Sequence, residues 1–100
     1  MFQFERISAE LAQQKTTEGE TTIIDIRDEM SFDAGHVNNA LHISNANLAD
    51  FVADTDKTLP LLVYCYHGNS SQGAAQMLAQ QGFSEVYSVD GGYEHWKGLV

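Results

Sequence analysis

The chain has 100 residues, 43% of them hydrophobic, so we expect one domain, residues 1–100, with one sizeable core. Its formal net charge of −9 argues against nucleic acid or an anionic membrane surface as a partner. The sequence has a single cysteine, no zinc-site spacing, no secretory signal and no apolar run longer than Leu61–Tyr66. These features predict a cytoplasmic protein without a disulfide, a structural zinc or a membrane span.

Five apolar segments rich in β-branched residues predict five strands. They lie at residues 4–7, 21–26, 40–43, 61–65 and 85–89. Segments with helical spacing occur at residues 8–15, 45–54, 70–82 and 91–100. Ser8 is the expected N-cap of the first helix, Ser70 or Ser71 that of the third, and Gly82 suits a left-handed cap at the end of the third.

Strands that alternate with helices predict an α/β fold with a mainly parallel sheet and helices on both faces. The last helix would place Tyr93, Trp96 and Val100 on one stripe. Ligands of such sheets bind outside the carboxyl ends of the strands. Cys65 lies at one of these ends.

Free cysteines are often simply buried in the core, and "LLVYC" is typical of a buried strand. The next residues, "YHGN", however, lead directly into a helix. Backbone N–H groups and the helix dipole can therefore converge on the sulfur of Cys65 and favour its thiolate. Gly68 and Asn69 are the residues that most easily take the positive φ that inward-facing amides need.

Three segments resemble one known family. These are "CYHGNSS" at 65–71, "IIDIRDEMSFDAGHVNNALHI" upstream and "GFSEVYSVDGGYEHW" downstream. Together they resemble the rhodanese family of sulfurtransferases, most closely the small single-domain thiosulfate sulfurtransferases of the GlpE type. The resemblance covers about residues 22–97 and implies a single rhodanese-like domain.

The resemblance implies a catalytic cysteine, Cys65, that takes the outer sulfur of thiosulfate, releases sulfite and holds the sulfur as a persulfide. A thiophilic acceptor, either cyanide or a thiol such as a thioredoxin-like dithiol, then removes it. No cofactor and no metal are implied. The substrate-binding loop would comprise Tyr66, His67, Gly68, Asn69, Ser70 and Ser71.

One departure from the family concerns charge. Many rhodaneses carry an arginine where this chain has Ser70, so backbone amides must stabilise the anion. Because a dianionic substrate also approaches a protein of charge −9, we expect weak thiosulfate binding and a rate that rises with added salt.

Several other polar residues have structural interpretations. Asp25 and Arg27 point to the same side of a strand and predict a structural ion pair. His36 and His42 are expected to hold loops. His67 is expected to point outward at the rim of the loop and not to serve as a general base. The histidines show no metal-ligand spacing.

Two other functions remain open. A cysteine phosphatase or arsenate reductase would need an arginine that grips two oxygens of the oxyanion, and no arginine follows Arg27. An interaction module that keeps the fold without catalysis is the main alternative.

Overall fold

Strands and helices alternate along almost the whole chain in the computed structural model, which describes residues 3–99. In chain order the elements are β1 (Glu5–Ile7), α1 (Ala9–Glu18), β2 (Thr22–Asp25), α2 (Glu29–Ala34), β3 (Leu41–His42), α3 (Leu48–Asp54), β4 (Leu61–Tyr64), α4 (Ser70–Gln80), β5 (Val86–Val89), α5 (Gly92–Trp96) and a final 3₁₀ turn, Lys97–Leu99. The five predicted strands and the four predicted helices are all present.

The five strands form one sheet in the order β1-β5-β4-β2-β3. Every neighbouring pair is parallel, which confirms the predicted α/β class and its mainly parallel sheet. β4 is the central strand, and all four of its residues are buried. The residue that follows β4 therefore lies at the middle of the carboxyl edge of the sheet.

Helices cover both faces of the sheet, as predicted. Leu62 and Tyr64 of β4 belong to the core beneath α1 and α5, whereas Leu61 and Val63 belong to the core beneath α3 and α4. Because side chains alternate across a strand, a strand between two cores is expected to be a nearly continuous apolar run. This is why "LLVY" has no polar residue.

Two of the predicted helix caps are present. The Ser8 hydroxyl accepts a hydrogen bond from Leu11 N at 3.1 Å, and Gly82 follows α4 with φ +102°. The prediction for the start of α4 is wrong, because Asn69 is the N-cap and Ser70 and Ser71 lie within the first turn.

The short helix α2 was not predicted. It has six residues, none of them buried, so no apolar stripe marks it in the sequence. Asp28 caps it, since its carboxylate accepts hydrogen bonds from Ser31 N at 3.0 Å and Ser31 Oγ at 2.9 Å. The capping interaction marks the start of this helix, and Phe32 is its partly buried contact with the core.

At the end of the chain, Trp96 is fully buried and Tyr93 packs against the same core. The predicted third member of this stripe, Val100, lies outside the described residues. No helix within residues 3–99 is long and apolar enough to cross a membrane.

Candidate active site

Cys65 directly follows β4, at the carboxyl edge of the sheet. Its thiol is free and the residue is only 4% exposed. The carboxyl edge of a parallel sheet is where ligands of such folds bind. The sulfur is therefore correctly placed for chemistry but recessed below the protein surface.

Two backbone amides donate hydrogen bonds to the sulfur. Gly68 N lies 3.2 Å and Ser71 N 3.3 Å from Cys65 Sγ. The Ser71 amide is in the first turn of α4, where N–H groups have no partner within the helix. The sulfur thus accepts hydrogen bonds that the end of a helix would otherwise offer to water or an anion.

These hydrogen bonds change the acidity of the thiol. Burial raises the pKa of Cys65, but hydrogen bonds from the hydroxyl and amide of Ser71 and from the amides of Gly68 and His67 outweigh burial, so the pKa falls below its ordinary value. Hydrogen bonds donated to a charged group favour the charged form. The site therefore favours the thiolate, which is the nucleophilic form of cysteine.

The loop between Cys65 and α4 depends on Gly68. This residue has φ +94°, and a Cβ added to it would lie 2.9 Å from Gly91 N. The positive φ predicted for Gly68 is confirmed. That for Asn69 is wrong, because its φ is −91° and its backbone is already helical.

A second turn, between β5 and α5, packs against the loop that follows Cys65. Gly91 and Gly92 both have positive φ, which lets the first turn of α5 approach the loop closely. Tyr93 N donates to Cys65 O at 2.8 Å, and Glu94 N donates to Tyr66 O at 3.2 Å. The carbonyl groups of Cys65 and of the residue that follows it are therefore held by the first turn of α5.

The loop surrounds a small pocket of about 130 Å³, which is lined by Cys65, Tyr66, His67, Asn69 and Ser70. Gly68 and Ser71 are buried and reach the sulfur through their amides. His67 is exposed, as expected for a rim position. The structure thus brings the predicted catalytic and substrate-binding residues together around the sulfur.

Asp25 and Arg27 form a buried ion pair at the end of β2, as predicted. Arg27 Nη2 lies 2.7 Å from Asp25 Oδ2 and also donates to Gly35 O at 2.7 Å. The guanidinium carbon is 4.1 Å from the ring centroid of Tyr93 and 5.7 Å from those of Tyr64 and Tyr66. This enclosure by three tyrosines was not predicted, because the rings come from different elements.

The remaining histidines near this edge have architectural contacts, as expected. His36 Nδ1 is 2.8 Å from Phe32 O, and the two rings stack at 3.8 Å. His42 Nε2 is 2.6 Å from Arg27 O. Within residues 3–99, no group of three or more His, Cys, Asp or Glu side chains could hold a metal ion.

Sequence reasoning missed one pair of side chains at the site. The hydroxyls of Ser71 and Ser88 are 2.7 Å apart, and both residues are fully buried. Ser71 was predicted as one of two candidate helix caps and as part of the substrate-binding loop, and Ser88 was read only as part of the strand "EVYSV". The available signal was a lone small polar residue in an otherwise apolar strand.

Comparisons with known proteins agree with this fold. The sequence model of the rhodanese-like domain matches residues 8–99. A rhodanese-related protein of Thermoplasma volcanium has a TM-score of 0.80 at 25% identity, over 96% of this chain and 93% of that one. A rhodanese-like domain protein of Staphylococcus aureus has a TM-score of 0.80 at 22% identity, over 93% and 91%. A Rhodopseudomonas palustris protein of unknown function, described as a possible tyrosine phosphatase, has a TM-score of 0.76 at 20% identity, over 96% and 81%.

Proposed function

Because the chain belongs to the rhodanese-like domain family, we propose that it is a thiosulfate sulfurtransferase that carries sulfur as a persulfide on Cys65. One observation carries the proposal. The recessed sulfur accepts hydrogen bonds from Gly68 N and Ser71 N, and the pKa of its thiol is lowered. A reactive cysteine needs such an environment, whereas a cysteine that only fills the core does not.

In the first step, the Cys65 thiolate attacks the outer sulfur of thiosulfate. A bond forms between Sγ and that sulfur, the S–S bond of thiosulfate breaks, and sulfite leaves with the electron pair. The product is a persulfide whose terminal sulfur carries the negative charge. No proton and no external oxidant or reductant are required, because charge and electrons balance between thiolate plus thiosulfate and persulfide plus sulfite.

The loop is suited to hold this product. Its pocket of about 130 Å³ accommodates only a small group above Sγ. Tyr66, His67, Asn69 and Ser70 line the pocket, and a ring of amides is a favourable environment for an anion. We propose that these residues, together with the amides of Gly68 and Ser71, bind thiosulfate and the persulfide.

In the second step, an acceptor removes the outer sulfur and Cys65 returns to the thiolate. Cyanide can accept it directly to give thiocyanate, and a thiolate can accept it to form a new persulfide. Since Cys65 is the only cysteine of the sequence, it has no internal thiol to resolve its persulfide. We therefore propose a thioredoxin-like dithiol as the acceptor, in the reducing cytoplasm.

Phosphatase chemistry has less support. A cysteine phosphatase needs a side chain that grips two oxygens of the phosphoryl group, for which arginine is suited. Both arginines of the sequence, Arg6 and Arg27, precede the loop, and Arg27 Nη2 contacts Asp25 and Gly35.

The direct test is the intact mass of the protein under non-reducing conditions, before and after incubation with thiosulfate. We expect a gain of one sulfur atom that cyanide or a dithiol reverses. Cys65→Ser is the matched control and should gain nothing. If a folded protein with a free thiol gained no sulfur, the non-catalytic interaction module would become the leading function.

The acceptor is tested separately with protein that is already loaded with sulfur. Reduced thioredoxin should discharge the persulfide faster than a simple monothiol at the same concentration, since its second thiol resolves the mixed intermediate. Equal rates for the two thiols would exclude a dithiol acceptor and leave the proposed sulfur loading of Cys65 intact.

A further inference from the structure

Ser88 is a fully buried polar residue on β5, and the reaction proposed above gives it no role. Its hydroxyl lies 2.7 Å from that of Ser71. Ser71 in turn donates its backbone N–H to Cys65 Sγ at 3.3 Å. Three buried groups, from β5, α4 and the end of β4, thus follow one another in space: Ser88, Ser71 and the cysteine sulfur.

The protons of the two hydroxyls decide which serine donates the hydrogen bond to the other. Each serine has one O–H proton, and the hydrogen bond between the two uses only one. Within residues 3–99, Ser71 is the only hydrogen-bond partner of the Ser88 hydroxyl. If Ser71 were the donor, the proton of Ser88 would be buried without an acceptor, which is unfavourable.

The opposite direction satisfies both protons. When Ser88 donates to Ser71, the Ser71 proton is left free, and the neighbouring thiolate, which already accepts the Ser71 amide, can be its acceptor. A hydroxyl that itself accepts a hydrogen bond is also a stronger donor. Consistent with this direction, the Ser71 hydroxyl is one of the groups that lower the pKa of Cys65.

We infer that Ser88 is a positioning residue, which donates to Ser71 and thereby directs the Ser71 hydroxyl at the Cys65 thiolate. Its relevance to sulfur transfer rests on the proposed function. Because Ser88 lies on β5, an interior strand of the sheet, it can hold Ser71 more rigidly than a residue of the exposed loop could.

Charged and titratable groups on the neighbouring elements must be separated from this effect. They are the Asp25–Arg27 pair at the end of β2, His67 in the loop, Asp90 after β5 and Glu94 on α5. The first turn of α4 contributes no acidic residue. Since all of them stay unchanged when a serine hydroxyl is removed, their influence cancels in a comparison of serine variants.

The test is a double-mutant cycle read out by the pH dependence of alkylation of Cys65 with iodoacetamide. We expect Ser71→Ala to raise the pKa of Cys65 by about 1, as for loss of one hydrogen bond to a charged group. Ser88→Ala should raise it by roughly half as much, since a hydrogen bond to the thiolate remains but is less well directed. In the Ser71→Ala background, Ser88→Ala should cause no further rise in the pKa of Cys65.

A structural role alone would give a different result. If Ser88→Ala left the pKa of Cys65 unchanged or lowered it, or raised it equally in the Ser71→Ala background, the inference would be wrong. Ser84→Ala is the control, because this exposed serine donates to Lys57 O, and it should not move the pKa. The double variant leaves no unpaired hydroxyl and should melt no lower than the less stable single variant.

Alkylation needs no sulfur donor, so it separates this inference from the proposed function. A cycle with the expected values, in a protein that gains no sulfur from thiosulfate, would support the role of Ser88 and refute the sulfurtransferase. If the protein gained sulfur but the pKa of Cys65 did not respond to Ser88→Ala, the sulfurtransferase would be supported and the role of Ser88 refuted.

Discussion

The glycine at position 92 should be the least replaceable residue beside the candidate active site. Gly92 has φ +57°, and a Cβ there would lie 2.5 Å from Cys65 O and 2.6 Å from the carbonyl carbon and oxygen of Tyr66. Those atoms are backbone and cannot rotate away. Gly92→Ala must therefore either distort the loop or push α5 away from it.

The size of the effect follows from two contributions. A left-handed backbone conformation costs an L-residue about 1–2 kcal/mol. Moving α5 also weakens the hydrogen bonds from Tyr93 N to Cys65 O and from Glu94 N to Tyr66 O, each worth about 0.5–1.5 kcal/mol. We expect Gly92→Ala to lower the free energy of unfolding by about 2–5 kcal/mol, a large share of the stability of a domain of this size.

Urea unfolding of Gly92→Ala and Gly73→Ala measures this effect against a matched control. Gly73 is a second glycine near the loop, but it lies within α4, and a Cβ added to it would meet no atom outside the helix backbone within 4 Å. Gly73→Ala should stabilise the protein by up to about 1 kcal/mol, since alanine favours a helix over glycine. If Gly92→Ala were as stable as wild type, the close approach of α5 to the loop could not hold in solution.

Three further predictions concern charge. Arg27→Met leaves Asp25 buried and unpaired and should lower the free energy of unfolding by about 3–5 kcal/mol. Arg6→Met, which removes the exposed pair with Asp90, is the control and should leave the urea midpoint unchanged. Equal losses of stability for the two variants would contradict a buried pair. The rate at which iodoacetamide modifies native Cys65 should rise with a pH midpoint below the ordinary pKa of 9.0. Because the native thiol loses its proton at a lower pH than the unfolded one, ionisation of Cys65 stabilises the fold fully above pH 9, and this stabilisation is lost as the pH falls through the lowered pKa. Unfolding of wild type and Cys65→Ser as a function of pH measures this loss. Finally, added salt should raise the second-order rate constant with thiosulfate, because it screens the repulsion between this dianion and a protein of net charge −9. A rate constant that falls with salt would indicate local positive charge at the pocket.

Local patterns predicted the regular elements well and the short capped helix poorly. β4 could be recognised because it is buried on both faces and is therefore a continuous apolar run, and α1 because Ser8 precedes its first turn. α2 buries none of its residues, so the hydrophobic pattern contains no trace of it. Its cap, Asp28 followed by Ser31, was the only signal, and such a pair also occurs in ordinary turns.

Ser71 illustrates why side-chain roles were harder to predict. A serine at the start of a helix is a common N-cap, and the sequence favoured that role. In the folded protein β5 places Ser88 opposite Ser71, and the two hydroxyls pair in the buried space between strand and helix. A partner that is 17 residues away along the chain cannot be identified from local spacing.

By itself the sequence determined the α/β class, the strand that leads to the cysteine and the loop that follows it. These depend on hydrophobic periodicity and on glycine, which act over a few neighbouring residues. Only the tertiary structure decided what surrounds Cys65: the amides aimed at its sulfur, α5 beneath its backbone and the serine pair beside it. Those contacts join β4, α4, β5 and α5, and their distances depend on how the helices pack on the sheet. The acidity of a thiol depends on such distances, so it becomes a property of Cys65 only when the chain is folded.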